Sequence, residues 1–136
     1  MSGSQPTFLY VEDDPLSREV MELLLKQVLG YTQVTTFESS HDFMEKVRAL
    51  TSIPDVIFLD IQMHPHNGYE MLKMLRGEDA YRKTRIIAMT ASVMATDVEA
   101  LKSAGFDGMI GKPIMRQAFP ELLGRILSGE SIWFVS

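Results

Sequence analysis

Four short apolar runs, each followed by a polar residue, constrain this chain more than any other feature. They are Phe8 to Val11, Val56 to Leu59, Ile86 to Met89 and Met109 to Ile110. All are rich in β-branched or aromatic residues, which reads as strands buried on both faces of a parallel sheet. Glu12-Asp13-Asp14 follows the first run, Asp60 the second, Thr90 the third, and Lys112, one glycine later, the fourth. In an open α/β sheet, ligands bind beyond the carboxyl ends of the strands, where the winding direction reverses. The pattern therefore predicts one cleft in which carboxylates, a hydroxyl and an amine converge, where a phosphate and its metal ion would sit.

Between the runs the chain alternates strand and helix five times, predicting a parallel sheet covered on both faces. Pro15 suits a first helical position, and Leu16, Val20, Leu23, Leu24 and Gln27 recur at helical spacing until Gly30. Gln33 to Phe37 reads as a second strand, and Ser39 or Ser40 as the cap of a helix with Phe43, Val47 and Leu50 inward. Asn67-Gly68 turns the chain into a helix with Met71, Leu72 and Leu75 inward, ending near Gly77, and residues 78–84 read as an exposed connection. Thr96 with Glu99 predicts a capping box for a fourth helix, thinly apolar at Val98 and Leu101, with Gly105 at its left-handed end. Pro120 is placed in the first turn of a last helix carrying Leu122, Leu123, Ile126 and Leu127. The expected core runs from about residue 6 to 128, and an apolar tail, 129–136, has no assigned structure.

Composition narrows the function. At 136 residues the chain fits a single domain spanning 1–136, with no room for a second. No stretch of 18 apolar residues suggests a membrane span, and Met1 to Gln5 is too short and polar for a signal peptide. The absence of cysteine excludes disulfides, thiolate catalysis and cysteine zinc sites, and is compatible with a reducing cytoplasm. A net charge of −5 argues against direct nucleic-acid binding, which needs a basic face.

A carboxylate attacks a phosphoryl group only if the charge between two anions is cancelled, so a nucleophilic Asp60 needs a divalent cation and a nearby amine. Oxygen ligands from Asp13 and Asp60, helped by Glu12 through water, suit octahedral Mg2+, and Mn2+ could substitute. Lys112 could pair with Asp60 before reaction and with a phosphoryl oxygen afterwards, while the Thr90 hydroxyl could donate to another oxygen. Each residue alone has an ordinary explanation: helix cap, turn former or solvated lysine. Those explanations are independent of one another, whereas the functional reading needs all the positions at strand ends in one chain order.

The motifs Tyr10-Val11-Glu12-Asp13-Asp14-Pro15, Asp55 to Met63 running to Asn67-Gly68-Tyr69-Glu70, Ile87-Ala88-Met89-Thr90-Ala91 and Gly111-Lys112-Pro113 together resemble a response-regulator receiver domain of two-component signalling, over nearly the whole chain. The resemblance implies a flavodoxin-like, doubly wound, five-stranded parallel sheet of order 2-1-3-4-5 with five helices. It implies a phosphorylation-dependent switch that accepts a phosphoryl group on Asp60 from a histidine kinase or histidine phosphotransfer protein. Catalysis would be limited to its own phosphorylation and dephosphorylation. Glu12 and Asp13 become the acidic pair of the metal site, the Gln62 backbone carbonyl a further ligand, Thr90 the switch hydroxyl and Lys112 the phosphate-contacting amine, followed by a cis bond to Pro113. A downstream protein would be met on helix four, strand five and helix five, by a monomer or a phosphorylation-dependent dimer in the cytoplasm.

Three departures stand out. His64 occupies a position where the family usually has proline, Pro65 coming one later, although the eight-residue spacing from Asp60 to Gly68 is kept. Met109 stands three residues before the lysine, where an aromatic is common. The tail with Trp133 and Phe134 extends past the expected last helix. His64 and His66 suit a surface loop better than zinc, lacking a third nitrogen or sulfur ligand nearby in sequence. The ten methionines read mostly as core filler, with Met94 and Met109 the candidates for a partner surface. Competing readings are a phosphorelay intermediate, a phosphorylation-independent interaction module and a haloacid-dehalogenase-like phosphatase. In the last the nucleophile sits on strand one in an Asp-x-Asp pattern, whereas Asp60 ends the third expected strand.

Overall fold

The apolar runs pair edge to edge because a strand buried on both faces has nowhere else to satisfy its backbone. In the computed structural model, which describes residues 5–134, they form β1 (Phe8–Val11), β2 (Val34–Phe37), β3 (Val56–Asp60), β4 (Arg85–Thr90) and β5 (Gly108–Gly111). A short β6 (Trp133–Phe134) completes a six-stranded sheet of order β2-β1-β3-β4-β5-β6, and every pairing is parallel. The expected order 2-1-3-4-5 is present, with one strand added at its outer edge. That strand comes from the tail left unassigned by sequence, where Ile132 is itself buried, so the core extends past residue 128. Residues 1–4 of the expected N-terminal segment, and Val135 and Ser136 of the tail, lie outside the described residues.

Five helices cover the sheet: α1 (Pro15–Glu22), α2 (Phe43–Arg48), α3 (Gly68–Arg76), α4 (Ala95–Ala104) and α5 (Phe119–Leu127). Phe43, Val47, Met71, Leu72, Leu75 and Leu101 pack with Leu9, Ile57 and Met109 on one face. Met21, Leu24, Leu25, Leu122, Leu123 and Ile126 pack with Tyr10, Phe58 and Ile110 on the other. The period of two along each strand is what sends alternate residues to the two cores. Among the described residues no helix is long and apolar enough to cross a membrane.

Several local expectations change. α1 continues as a π-helical segment, Leu23–Val28, whose wider turn breaks the helical stripe read from the sequence. Leu24 is buried, but Leu16 is 65% and Leu23 36% exposed. Neither Ser39 nor Ser40 caps α2, whose first turn follows Asp42 with no side-chain cap. The buried Ser40 hydroxyl instead accepts from the His66 amide at 2.8 Å, tying down the loop after β3. Thr96 and Glu99 do not form the capping box of α4; the helix starts two residues earlier, and the Asp97 carboxylate accepts from the Met94 amide at 3.1 Å. Gly105 ends that helix in the left-handed conformation as expected. Residues 78–84 are more than an exposed connection: a 3-10 turn, Asp79–Tyr81, buries Tyr81, and the Thr84 hydroxyl donates to the Pro54 carbonyl at 2.8 Å.

α3 begins where the sequence placed it. Asn67 accepts from the Glu70 amide at 2.9 Å while Glu70 accepts from the Asn67 amide at 2.8 Å. Gly68 is required there by proximity: a Cβ would stand 2.6 Å from Ile61 Cδ1 and 2.9 Å from Ile61 Cα. A Cβ at Gly124, exposed within α5, would meet nothing within 4 Å. The two substitutions should therefore have opposite signs. Gly68→Ala is expected to destabilise by about 1–3 kcal/mol through overpacking beside Asp60, and Gly124→Ala to stabilise by about 0.5–1 kcal/mol through helix propensity. Urea midpoints at unchanged slope measure both, and a shift of the same sign in the two variants would contradict this packing.

Candidate phosphoacceptor and metal cleft

Strand register decides which polar residues meet. β1 lies between β2 and β3, so the chain leaves β1 and β3 toward opposite sides and opens a crevice beyond their carboxyl ends. Glu12, directly after β1, Asp60, the last residue of β3, Thr90, the last of β4, and Lys112, directly after β5, all reach that crevice. With Asp13, Gln62, Ala91 and Pro113 they line a cavity of about 450 Å³. All the residues expected at the site come together there. His64 instead lines a separate groove with Met63, Pro65 and Tyr69, outside the cleft.

The lysine binds more tightly to Glu12 than to the residue with which the sequence paired it. Lys112 Nζ is 2.9 Å from Glu12 Oε1 and 3.4 Å from Asp60 Oδ1. Glu12 is fully buried, and its carboxylate also accepts from the Tyr10 hydroxyl at 2.8 Å and the Asp14 amide at 3.1 Å. Burial alone would raise its pKa, but Lys112, the Asp14 amide and Tyr10 outweigh that and hold it below the ordinary glutamate range. Asp60 is left with the weaker share: the long contact to Lys112 and the Gln62 amide at 3.3 Å. Burial, and then the Glu12 charge, push Asp60 up to about 6, while Lys112 pulls the other way. The lysine itself is lowered by burial and raised further by Glu12 and Asp60, ending above its usual value.

Oxygen atoms of Glu12, Asp13 and Asp60 lie within 4.8 Å of one another. This all-carboxylate donor set fits a hard, oxygen-seeking divalent cation. Asp13 is the exposed member, open to solvent and to an incoming ion. Asp14 takes a different part: its carboxylate accepts from the Ser17 amide at 3.0 Å and hydroxyl at 2.7 Å, capping α1. The Thr90 hydroxyl oxygen accepts from the Ser92 amide at 3.0 Å, and its nearest acceptor, the Ser92 carbonyl, is 3.5 Å away. Its proton is therefore weakly engaged.

Two supporting residues escaped the sequence reading. Tyr10 looked like part of an apolar run; its position two before Glu12, which directly continues that strand and so points to the same side, was the available signal. The Arg18 guanidinium donates to the Glu12 carbonyl at 2.7 Å from the first turns of α1, and no local pattern announces it. The bond from Lys112 to Pro113 is cis, as expected, and so is that from His64 to Pro65. Met109 is fully buried beside Ala88 and Leu101, which removes it from any partner surface, whereas Met94 is 72% exposed.

The family model described as the response regulator receiver domain matches residues 8–124. The signal transduction histidine-protein kinase BarA of Shigella flexneri is 29% identical over 93% of this chain, which spans only 13% of that protein's length. The polar-differentiation response regulator DivK of Brucella anthropi is 30% identical, with 85% of this chain and 90% of that protein covered. Among solved structures, the chemotaxis response regulator CheY4 of Vibrio cholerae matches with a TM-score of 0.80 at 25% identity, over 90% of this chain and 99% of that one. The receiver domain of the sensor histidine kinase PA1611 from Pseudomonas aeruginosa, whose structure has a magnesium ion coordinated in the active site cleft, matches at 0.78 and 27% identity, over 93% and 100%.

The crowding at Asp60 has a measurable cost. Its carboxyl rises from 3.8 to about 6 on folding, so the native state holds a proton that the unfolded chain releases. Stability from this group is therefore present below pH ~4 and lost as pH rises through 6. Asp60→Asn is expected to be more stable than wild type at pH 7.5 without divalent cations, by roughly 2–3 kcal/mol, and the advantage should shrink toward pH 4. Urea unfolding across that range measures it; an advantage that stays constant with pH would show that Asp60 ionises freely.

Proposed function

The chain belongs to the response regulator receiver domain family, and from that premise we propose that it is a phosphorylation-dependent signalling switch with Asp60 as phosphoacceptor. The observation that carries this is Asp60 at the end of β3, 3.4 Å from the Lys112 ammonium and grouped with Glu12 and Asp13. The donor is a phosphohistidine on a histidine kinase or histidine phosphotransfer protein. An Asp60 oxygen forms the new bond to phosphorus, the phosphorus–nitrogen bond breaks, and the imidazole leaves.

Asp13, Asp60 and the Gln62 backbone carbonyl would hold Mg2+, with Glu12 assisting; Mn2+ has the same preference for oxygen ligands. Magnesium, when bound, supplies the positive charge that lets two anions approach. Lys112 moves its shared hydrogen bond from Glu12 and Asp60 to a phosphoryl oxygen, a short shift for a flexible ammonium. Thr90, whose proton has no short acceptor, donates to another phosphoryl oxygen and draws the loop from Thr90 to Met94 with it. A downstream protein then reads the change on the face built by α4, β5 and α5, in a monomer or a phosphorylation-dependent dimer. Because a flexible methionine, Met109, stands where an aromatic that could swing as a rigid unit is common, the change passes mainly through the backbone of that loop and the start of α4. The phosphodonor approaches over Leu16, Val20 and Ile114, an apolar patch beside Lys112 and Pro113 at the mouth of the cleft. We place the protein in the cytoplasm, where such donors act.

Incubation with acetyl phosphate or phosphoramidate and magnesium should add one base-labile phosphoryl group, read by intact mass. Undiminished labelling of Asp60→Asn would refute the assignment. Thr90→Ala should still accept phosphate but respond less to beryllofluoride.

The register of the metal site is tested separately. Asp13→Asn removes one charged ligand and should weaken magnesium binding at least tenfold by calorimetry, since Mg2+ uses few protein ligands. Asp14→Asn keeps a good helix cap and should bind nearly as wild type. The reverse ranking would put the assignment off by one residue.

A further inference from the structure

Glu12 and Lys112 hold each other so closely before any reaction that their pairing becomes an obstacle to it. Under the phosphoacceptor reading, on which this inference rests, Lys112 must leave Glu12 Oε1, 2.9 Å away, for a phosphoryl oxygen. Its departure takes the charge partner from a fully buried carboxylate, and an uncompensated buried charge is strongly destabilising. What stays on that oxygen is the Tyr10 hydroxyl, which donates to the same Oε1 at 2.8 Å, while the Asp14 amide donates to Oε2 at 3.1 Å. A phenol facing a carboxylate can only donate. It takes a share of the charge on Oε1, which loosens the grip on Lys112, and it keeps that oxygen satisfied once the lysine has gone.

Both ends of this hydrogen bond are fixed. Tyr10 lies on β1 between β2 and β3, opposite Thr36 and Phe58. Its ring is fully buried and meets the Phe58 ring edge to face, with centroids 6.2 Å apart. The Glu12 amide donates to the Phe37 carbonyl at 3.0 Å, and Arg18 donates to the Glu12 carbonyl at 2.7 Å. The ring sits in an apolar cluster with Met21, Phe58, Ile110 and Phe119, where packing by itself would be served by phenylalanine. The hydroxyl is the part that packing does not explain, since burying one is favourable only when it is hydrogen-bonded. We propose that Tyr10 is a positioning residue of the phosphoacceptor cleft, acting through Glu12 to release Lys112 to the phosphoryl group.

The test uses the full chain. Beryllofluoride with saturating magnesium stands in for the phosphoryl group and is titrated by fluorine NMR, and magnesium alone is titrated by calorimetry. Tyr10→Phe keeps the ring and should bind beryllofluoride about tenfold more weakly, the loss of one hydrogen bond to a buried charge. It should bind magnesium nearly as wild type does, because the metal does not require Lys112 to move. In a Glu12→Gln background, which has no charge to hold the lysine, the same substitution should make almost no difference. Equal beryllofluoride affinity in Tyr10→Phe and wild type overturns the proposal, as does an undiminished loss in the Glu12→Gln background. Equal losses for magnesium and beryllofluoride also overturn it, because they would mark Tyr10 as a structural residue only. Wild type that binds magnesium but no beryllofluoride would overturn the phosphoacceptor reading itself, and this inference with it. Should Tyr10→Phe not fold, tyrosine fluorinated ortho to the hydroxyl, placed at position 10, decides. Its shape is nearly unchanged and its hydroxyl is the stronger donor, so beryllofluoride should bind more tightly than to wild type; unchanged or weaker binding would overturn the proposal.

Discussion

The contact between Lys112 and Glu12 is the interaction on which the cleft depends. A buried carboxylate is tolerated only when paired and hydrogen-bonded, and Glu12 is satisfied by the lysine, the Tyr10 hydroxyl and the Asp14 amide together. Satisfying Glu12 so completely leaves Asp60 undercompensated at 3.4 Å from the same ammonium. One lysine among three carboxylates is a deficit of positive charge. A divalent cation beside Asp13 would make up that deficit, and the proposed function makes use of it. The strain is electrostatic and sits on the residue proposed to react.

β5 carries two roles on four residues. Its carboxyl end delivers Lys112 to the cleft, and its outer edge receives β6. Gly108 admits the Ile132 carbonyl, Met109 and Ile110 send their side chains to opposite cores, and the amide of Lys112 donates to the Thr90 carbonyl at 2.8 Å. The strand therefore ties the reactive cleft and the sheet edge to the same short piece of backbone. On its two sides lie α4, which is only thinly buried through Leu101, and α5, which is anchored by Phe119, Leu122, Leu123 and Ile126. The less anchored of the two, α4, is the one whose start adjoins the Thr90 loop.

The parallel sheet and the identity of the cleft residues were legible in the sequence, and the order of the first five strands followed from the family resemblance. Buried strands announce themselves as apolar runs, and each functional residue stands at the end of one. The Asn67-Gly68 turn was equally legible, because a capping box is local chemistry. Features that depend on distant partners were not. Ser40 looked like a helix cap, but its hydroxyl is taken by an amide 26 residues away. Leu16 and Leu23 matched a helical stripe, yet the π-helical turn and the position of α1 at the mouth of the cleft leave them exposed. Tyr81 and Thr84 lay in a polar stretch and are buried by contacts with residues far along the chain.

The sequence by itself determined which residues meet, because strand ends in a parallel sheet share one edge and the chain order of motifs assigns each to its strand. Only the tertiary structure decided how those residues divide one positive charge. The choice of Glu12 over Asp60 as the closer partner of Lys112 is a matter of tenths of an ångström, made although β3 lies nearer to β5 than β1 does, with the Tyr10 hydroxyl holding the same Glu12 oxygen that the lysine meets. The tail shows the same limit: Ile132, Trp133 and Phe134 carry enough apolar surface to demand burial, but a two-residue strand has no periodicity to read. Its place exists only once β5, α4 and α5 have assembled the groove that holds it.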